Sequence, residues 1–268
     1  RHKLNQQSGI ATVVQYSNQG TNHNYCRVTL NDASVYQLIN EGFRGMGIKK
    51  GLKYNLSLKA SKLSGNITKI KFQFIDKDNK VLGETSIVPT SKDWTDYTAQ
   101  LTSTATEAKA KLKITFEGNG VIDLDNISLF PEDTWKGRKN GMRSDLVQLL
   151  YDLKPGFLRF PGGCIVEGRT LAERYQWKKS VGKVEDRETA VNRWNMEFAH
   201  RPAPDYFQSF GLGFFEYFQL SEDIGASPLP ILSCGMACQF NTGELVPMDQ
   251  IDPYVQDALD LIEFANGD

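Results

Sequence analysis

The chain has 268 residues, of which 40% are apolar, 24% charged and 11% aromatic. That is the composition of a globular protein with one large or two smaller domains, and it excludes a disordered chain, a collagen-like repeat and a coiled coil. No apolar run reaches the roughly 18 residues of a membrane helix, and a net charge of −1 gives no general pull toward nucleic acid or an anionic membrane.

The charge is unevenly placed. Up to Phe130 there are 17 basic against 11 acidic residues, a net of +6, and from Pro131 onward 14 against 21, a net of −7. Drift of surface lysines explains such a split as readily as a domain boundary does. It falls, however, where the hydrophobic pattern changes.

The first half reads as eight short strands: Cys26 to Leu30, Tyr36 to Asn40, Lys53 to Ala60, Thr68 to Ile75, Val81 to Ile87, Trp94 to Leu101, Ala110 to Glu117 and Val121 to Phe130. Tyr54, Leu56 and Leu58 alternate with Lys53, Asn55, Ser57 and Lys59, and Ile70, Phe72 and Phe74 with Lys69, Lys71 and Gln73. Period two with one polar face is the mark of an antiparallel sheet buried on one side. Turn-formers separate the segments at Asn31-Asp32, Ser64-Gly65-Asn66, Asp76-Lys77-Asp78-Asn79 and Gly118-Asn119-Gly120. Eight strands so spaced predict a β-sandwich of jelly-roll type. Asp123 and Asp125 in the last of them are either a solvated strand face or oxygen ligands for a structural calcium.

After Pro131 the period changes to three and four. Met142, Leu146, Leu149, Leu150 and Leu153 predict a helix that stops at Pro155-Gly156. Phe157 to Phe160 reads as a short buried strand, a long charged loop runs to about Pro204, and Tyr206 to Ile224 reads as a helix capped by Gly225. Leu229 to Ser233 is a second strand and Tyr254 to Phe264 a third helix. This alternation predicts a parallel α/β fold. With 138 residues it is about a third to a half of the roughly 250 that a (β/α)₈ barrel needs.

Candidate chemistry gathers in the second half. Leu158-Arg159-Phe160-Pro161-Gly162-Gly163-Cys164 places two glycines at a strand end, where a backbone can approach a ligand closely. Arg159 in an apolar strand either pairs with a carboxylate or faces water from a tight turn. Tyr175, Trp177 and Trp194 in the loop either stack on a sugar or pack the loop down. Glu167, Glu173, Glu197, Glu216 and Glu222 are the carboxylates available for glycoside hydrolysis, with Glu216 and Glu222 expected on the solvated face of a helix. No two of them end strands side by side. His2, His23 and His200 are isolated, and neither a nucleophile elbow, a P-loop nor a dinucleotide fingerprint is present. Cys26, Cys164, Cys234 and Cys238 are too few and scattered for a disulfide scaffold, and Cys234 and Cys238 have no nearby His to complete a zinc set, so neither metal nor cofactor is expected. The chain opens Arg1-His2-Lys3 without an apolar leader, which leaves the compartment unread.

The motif from Leu158 to Cys164, continued by Ile165-Val166-Glu167-Gly168, resembles the second-strand motif of the α-L-arabinofuranosidases of glycoside hydrolase family 51. Trp135-Lys136-Gly137-Arg138-Lys139-Asn140-Gly141-Met142-Arg143 is similar to the segment before that family's first barrel helix, and Phe210 to Tyr217 followed by Pro228-Leu229-Pro230-Ile231 is similar too. Asn40 to Met46 and Asp123 to Leu129 look like pieces of the jelly-roll module, of the carbohydrate-binding family 4 type, that one branch of the family inserts into its barrel.

The resemblance implies a jelly-roll carbohydrate-binding-like module at residues 1–130 and the first part of a (β/α)₈ barrel at 131–268. It implies a retaining hydrolase without cofactor that removes terminal α-L-arabinofuranosyl groups from arabinose-containing glycans, with a secreted or periplasmic setting favoured by that substrate. Cys164 and Gly163 would line the sugar pocket, Trp194 and Trp177 would wall it, and Arg159 would hold the nucleophile carboxylate. The family's Gly-Asn-Glu acid/base motif is absent, since the one Asn-Glu is Asn40-Glu41 in the sandwich. The expectation is therefore an internal piece of such an enzyme, cut at both ends and inactive alone, with both catalytic glutamates elsewhere. Its open barrel edges would be covered in a homo-oligomer. The alternatives are a non-catalytic carbohydrate-binding protein and a purely structural sandwich.

Overall fold

A computed structural model describes residues 9–15, 24–31, 35–42, 44–191 and 207–267, and the chain divides into two compact units between residues 148 and 149. The expectations placed on His2, His23, Asp32, Phe43, Trp194, Glu197, His200 and Tyr206 lie outside the described residues.

The first unit holds β1 (Gly9–Gln15), β2 (Asn24–Leu30), β3 (Val35–Asn40), β4 (Met46–Ile48), β5 (Lys53–Ile75), β6 (Val81–Ile87), β7 (Thr95–Thr102) and β8 (Glu107–Pro131). Every pairing among them is antiparallel. The front of β5 lies between β7 and the back of β8, which goes on to pair with β2 and through it β1. The back of β5 lies between β6 and the front of β8, which pairs with β3 and β4. Two sheets therefore share two strands, and their inward residues, among them Tyr36, Leu56, Leu58, Phe72, Phe74 and Phe116, form one continuous core. This is the sandwich that the period-two pattern predicts.

Two of the expected turns are not turns. The segments expected on either side of Ser64-Gly65-Asn66 are one 23-residue strand, and those on either side of Gly118-Asn119-Gly120 are one of 25 residues. The two glycine motifs face each other, with Gly65 opposite Gly120, Asn66 opposite Asn119 and Ile67 opposite Gly118. Gly65, Gly118 and Gly120 have φ of 76°, 110° and 121°, and register shifts flank the motif at Lys62/Ser64 and Ile67/Lys69. Positive-φ residues paired across a ladder bend both strands together and reverse neither. The bend is where β5 and β8 pass from one sheet to the other. By contrast, Asp76 does start a reversal: its Oδ1 accepts from the N–H groups of Asp78 and Lys80, each at 2.9 Å.

Asp123 is neither solvated nor a bare oxygen ligand. It is 4% exposed, and its two oxygens accept from Arg27 Nε and Nη2, both at 2.7 Å. The bidentate pair offsets the desolvation of the carboxylate. It also holds the Arg27 guanidinium protonated beyond its ordinary range, because the carboxylate hydrogen-bonds it.

The second unit continues α1 (Ser144–Leu153), which begins in the first, with β9 (Phe157–Phe160), α2 (Gly163–Glu167), β10 (Ala190–Val191), β11 (Phe207–Gln208), α3 (Phe214–Ile224), β12 (Ser227–Pro230) and α4 (Asp252–Asn266). β9 and β12 run parallel, with Phe157 opposite Ser227 and Phe160 opposite Pro230. The second strand thus starts two residues before the expected Leu229, because the ladder is set by its partner. α3 starts at Phe214 rather than Tyr206, since Phe210 has φ of 50° and Gly213 caps the helix. Its C-terminus is as expected, with Gly225 left-handed at φ 71°. Phe160, Tyr175, Trp177, Phe210, Phe214 and Leu261 make the core. The stripe Leu146, Leu149, Leu150 and Leu153 that predicts α1 stands exposed, as do Val255, Leu259 and Ile262 of α4.

Candidate functional site

The site grows from the carboxyl ends of β9 and β12. Their ladder continues one step beyond the strands, where Ile231 N–H donates to Phe160 O at 2.7 Å. Pro161-Gly162-Gly163-Cys164 and Leu232-Ser233-Cys234-Gly235 therefore leave the sheet side by side. Parallel sheets keep their ligands at this end.

Gly162 takes φ 117° and ψ −179°, a conformation that a side chain resists, and so the chain turns at once into α2. The Arg159 guanidinium lies over that turn: a Cβ placed on Gly162 would stand 3.5 Å from its Nη1 and one on Gly163 3.8 Å from its Nη2. Arg159 is exposed, so the desolvation that would demand a carboxylate does not arise within this structure. Gly163 is exposed and Cys164 half-buried at the mouth of the turn.

Trp177 is 4% exposed, packs against Phe214 and Phe264, and donates its indole N–H to Asp257 O at 3.0 Å. That is a place in the core of the second unit rather than at the strand-end turn. Tyr175 is buried in the same cluster, and burial pushes its phenol up to about 12. Of the loop aromatics among the described residues, both pack the loop down.

The loop owes its shape to a residue that the sequence does not single out. Arg187 donates to Gly182 O at 2.8 and 3.1 Å, to Phe210 O at 2.8 Å and to both oxygens of Glu216 at 2.8 and 3.0 Å. Glu216 also accepts from Gly213 N–H at 2.8 Å, closing the start of α3. Glu216 is thus a capping and ion-pair residue rather than part of a solvated face. Glu222 is exposed, as expected.

Glu167 sits on α2 three residues after Cys164, so the two share a helix face. The loop Gly235–Val246 closes on itself through Val246 N–H to Gly235 O at 2.8 Å, and Cys238 N–H donates to Gly168 O at 3.1 Å. Cys164 Sγ, a Glu167 carboxylate oxygen and Cys238 Sγ all come within 4.8 Å of one another. Sequence spacing pairs Cys238 with Cys234, but Cys234 is exposed and outside this group. Long-range closure, which leaves no local signature, supplies the third member.

The sandwich has its own cavity of about 720 Å³. Its walls are chiefly aliphatic, including Leu38, Ile114, Ile127 and Leu129, and the hydroxyl of Tyr54 is engaged by Lys49 N–H at 2.9 Å. Asn40, Thr12, Tyr54 and Phe74 add a few polar and aromatic groups to that lining.

Comparison with known proteins matches residues 149–268 to the model of the alpha-L-arabinofuranosidase 1 domain. The extracellular exo-alpha-L-arabinofuranosidase of Streptomyces chartreusis is 36% identical over 243 residues, 85% of this chain and 27% of that protein. Alpha-L-arabinofuranosidase 1 of Arabidopsis thaliana is 36% identical over 233 residues, 85% of this chain and 32% of that protein. The chain thus spans about a third or less of the length of these relatives. A structure of arabinose-bound MgGH51 α-L-arabinofuranosidase superposes with a TM-score of 0.83 at 29% identity, covering 97% of this chain and 42% of that one. The match runs through both units, and the expected fold, a jelly-roll sandwich followed by the first part of a (β/α)₈ barrel, stands.

Proposed function

We propose that this chain, whose residues 149–268 match the alpha-L-arabinofuranosidase 1 domain model and which is similar along its length to an MgGH51 α-L-arabinofuranosidase, serves a retaining α-L-arabinofuranosidase. The substrate is a glycan with terminal, non-reducing α-L-arabinofuranosyl groups, as in arabinan or arabinoxylan. In this reading residues 1–130 are a carbohydrate-binding-like jelly roll and 131–268 the first part of the catalytic barrel. The observation that carries it is the side-by-side exit of two parallel strands at Gly162-Gly163-Cys164 and Cys234-Gly235, within a chain that matches an arabinose-bound enzyme along 97% of its length.

The residues divide the work accordingly. Gly163 and Cys164 meet the arabinose ring at the strand end, where the missing side chains of Gly162 and Gly163 let it approach the backbone. Arg159, poised over the turn, orients and keeps ionised the nucleophile carboxylate. Trp194, outside the described residues, is the aromatic that this reading assigns to stacking on the sugar. The two glutamates, about 5–5.5 Å apart in a retaining enzyme, come from barrel strands beyond the two seen here. The exposed apolar stripes of α1 and α4 are the surfaces that the rest of the barrel covers.

The test is release of nitrophenol from an aryl α-L-arabinofuranoside by this chain and by one extended at both ends to the relatives' length. Turnover is expected only in the extended chain, where Cys164→Ala should raise KM about 2- to 10-fold, as loss of one hydrogen bond does. Turnover by the 268-residue chain would put a working carboxylate pair inside it, with Glu167 the first suspect. No turnover by a folded extended chain would overturn the substrate assignment.

A further inference from the structure

We propose that Cys164, Glu167 and Cys238 form a binding site for a thiophilic divalent cation, zinc above all. Three features of the second unit converge on it. The first is chemical: two thiols and a carboxylate are ligands that zinc accepts and that magnesium and calcium, which favour all-oxygen sites, do not. The second is an unspent valence. Glu167 Oε2 is buried without a hydrogen-bond partner among the described residues, an arrangement that is expensive for a carboxylate oxygen unless something binds there. The third is preorganisation. The three ligand atoms already lie within 4.8 Å of one another, and ligands about 2.0 to 2.3 Å from a tetrahedral zinc are reached from there by side-chain rotation.

The scaffold around them is tied down on both sides. Cys164 and Glu167 share one face of α2, whose end is closed by Gly168 N–H donating to Cys164 O at 3.1 Å. The loop bearing Cys238 is held against the following residues by Cys238 N–H to Gly168 O at 3.1 Å, by Thr242 Oγ1 donating to Arg169 O at 2.8 Å, and by Leu171 N–H donating to Glu244 Oε2 at 2.9 Å. The loop is further closed by Ala237 N–H to Glu244 O at 2.8 Å. A backbone so fastened gives up little entropy when the cation arrives.

Binding takes the two thiols to thiolates, releasing one proton from each to solvent. Two thiolates and one carboxylate then face the dication, and the fourth tetrahedral position is left to water. Cys234, exposed and outside the group, takes no part.

The first measurement uses the unaltered chain, reduced and stripped of metal, and reads the alkylation rate of each cysteine by mass spectrometry with and without equimolar zinc chloride. Zinc is expected to slow Cys164 by about tenfold or more, because a thiolate held by the metal is no longer the free nucleophile, while Cys26 and the exposed Cys234 react as before; Cys238, 0% exposed, is read by the cobalt titration instead. An unchanged rate at Cys164, or slowing centred on Cys234, would overturn the site. The second measurement titrates cobalt(II) and follows the sulfur-to-metal charge-transfer band. The band should fall by half or more in Cys164→Ala and in Cys238→Ala, persist in Cys234→Ala, and need more cobalt in Glu167→Gln. No band, or one that both cysteine variants leave intact, would also overturn it. Should a variant lose its fold by circular dichroism, the alkylation pattern of the unaltered chain decides. The site shares Cys164 with the proposed sugar pocket, but neither measurement involves a sugar, so failure of the cation site and failure of the glycosidase reading are told apart.

Discussion

Replacing Arg187 with Met should cost the second unit about 3–5 kcal/mol, the range for removing one partner of a buried ion pair, read from urea unfolding followed by tryptophan fluorescence. The side chain is 3% exposed, and its donors serve two backbone carbonyls and a carboxylate at once. Removing it strands Gly182 O, Phe210 O and Glu216 together, and an orphaned buried acceptor costs about 1–3 kcal/mol. Met fills most of the volume, so packing contributes little to the loss. Arg187→Lys should recover only part of it, because one ammonium cannot reproduce a planar fork that reaches three partners. A loss below about 1 kcal/mol for Met would mean that water enters and satisfies those groups.

The second large effect lies in the bend of the sandwich. Gly118→Ala should destabilise the first unit by about 3 kcal/mol or more, since sparsely populated backbone alone costs about 1–3 kcal/mol and steric overlap adds to it. The added Cβ would stand 2.1 Å from Asn66 O, which is backbone and cannot swing away. Gly51 supplies the control: it too has positive φ, 80°, but open space around it, so Gly51→Ala should cost only about 1 kcal/mol. The difference between the two, measured by thermal unfolding, isolates the clash. Equal losses would show that the facing strands relax around an extra methyl.

Much of this architecture was legible in the sequence, and the exceptions have a common cause. Alternation in Tyr54, Leu56 and Leu58 is a local property that survives into the core, so the strands and their inward faces could be read. Gly118-Asn119-Gly120 could not be read in the same way. A positive-φ glycine looks alike in a hairpin and in a bend, and only its partner across the ladder, Gly65 with Gly120, tells the two apart. β1 leaves no such signature, because its side chains, Val13 among them, are mostly outward and carry no clean alternation. At the candidate site, Gly162, Gly163 and Cys164 were visible because strand-end glycines are a local signal. Arg187 and Cys238 were not. Their partners lie 29 residues away for Arg187 and Glu216, and across two loops for Cys238, and nothing in a single chain's spacing marks them. Trp177 shows the same limit from the other side: a loop aromatic is ambiguous until its neighbours are known.

The shared strands also set how the sandwich comes apart. β5 and β8 each contribute hydrogen bonds to both sheets and are paired with each other over nearly their full lengths. Neither sheet can shed its central ladder without loosening the other's. Amide protons of Leu56 and Leu58 on one side of the bend and of Phe72 and Phe74 on the other should therefore exchange with solvent through the same opening event, with a common free energy and a common response to denaturant. Edge strands such as β1 and β6, which enter only one sheet, are free to fray by themselves at lower cost.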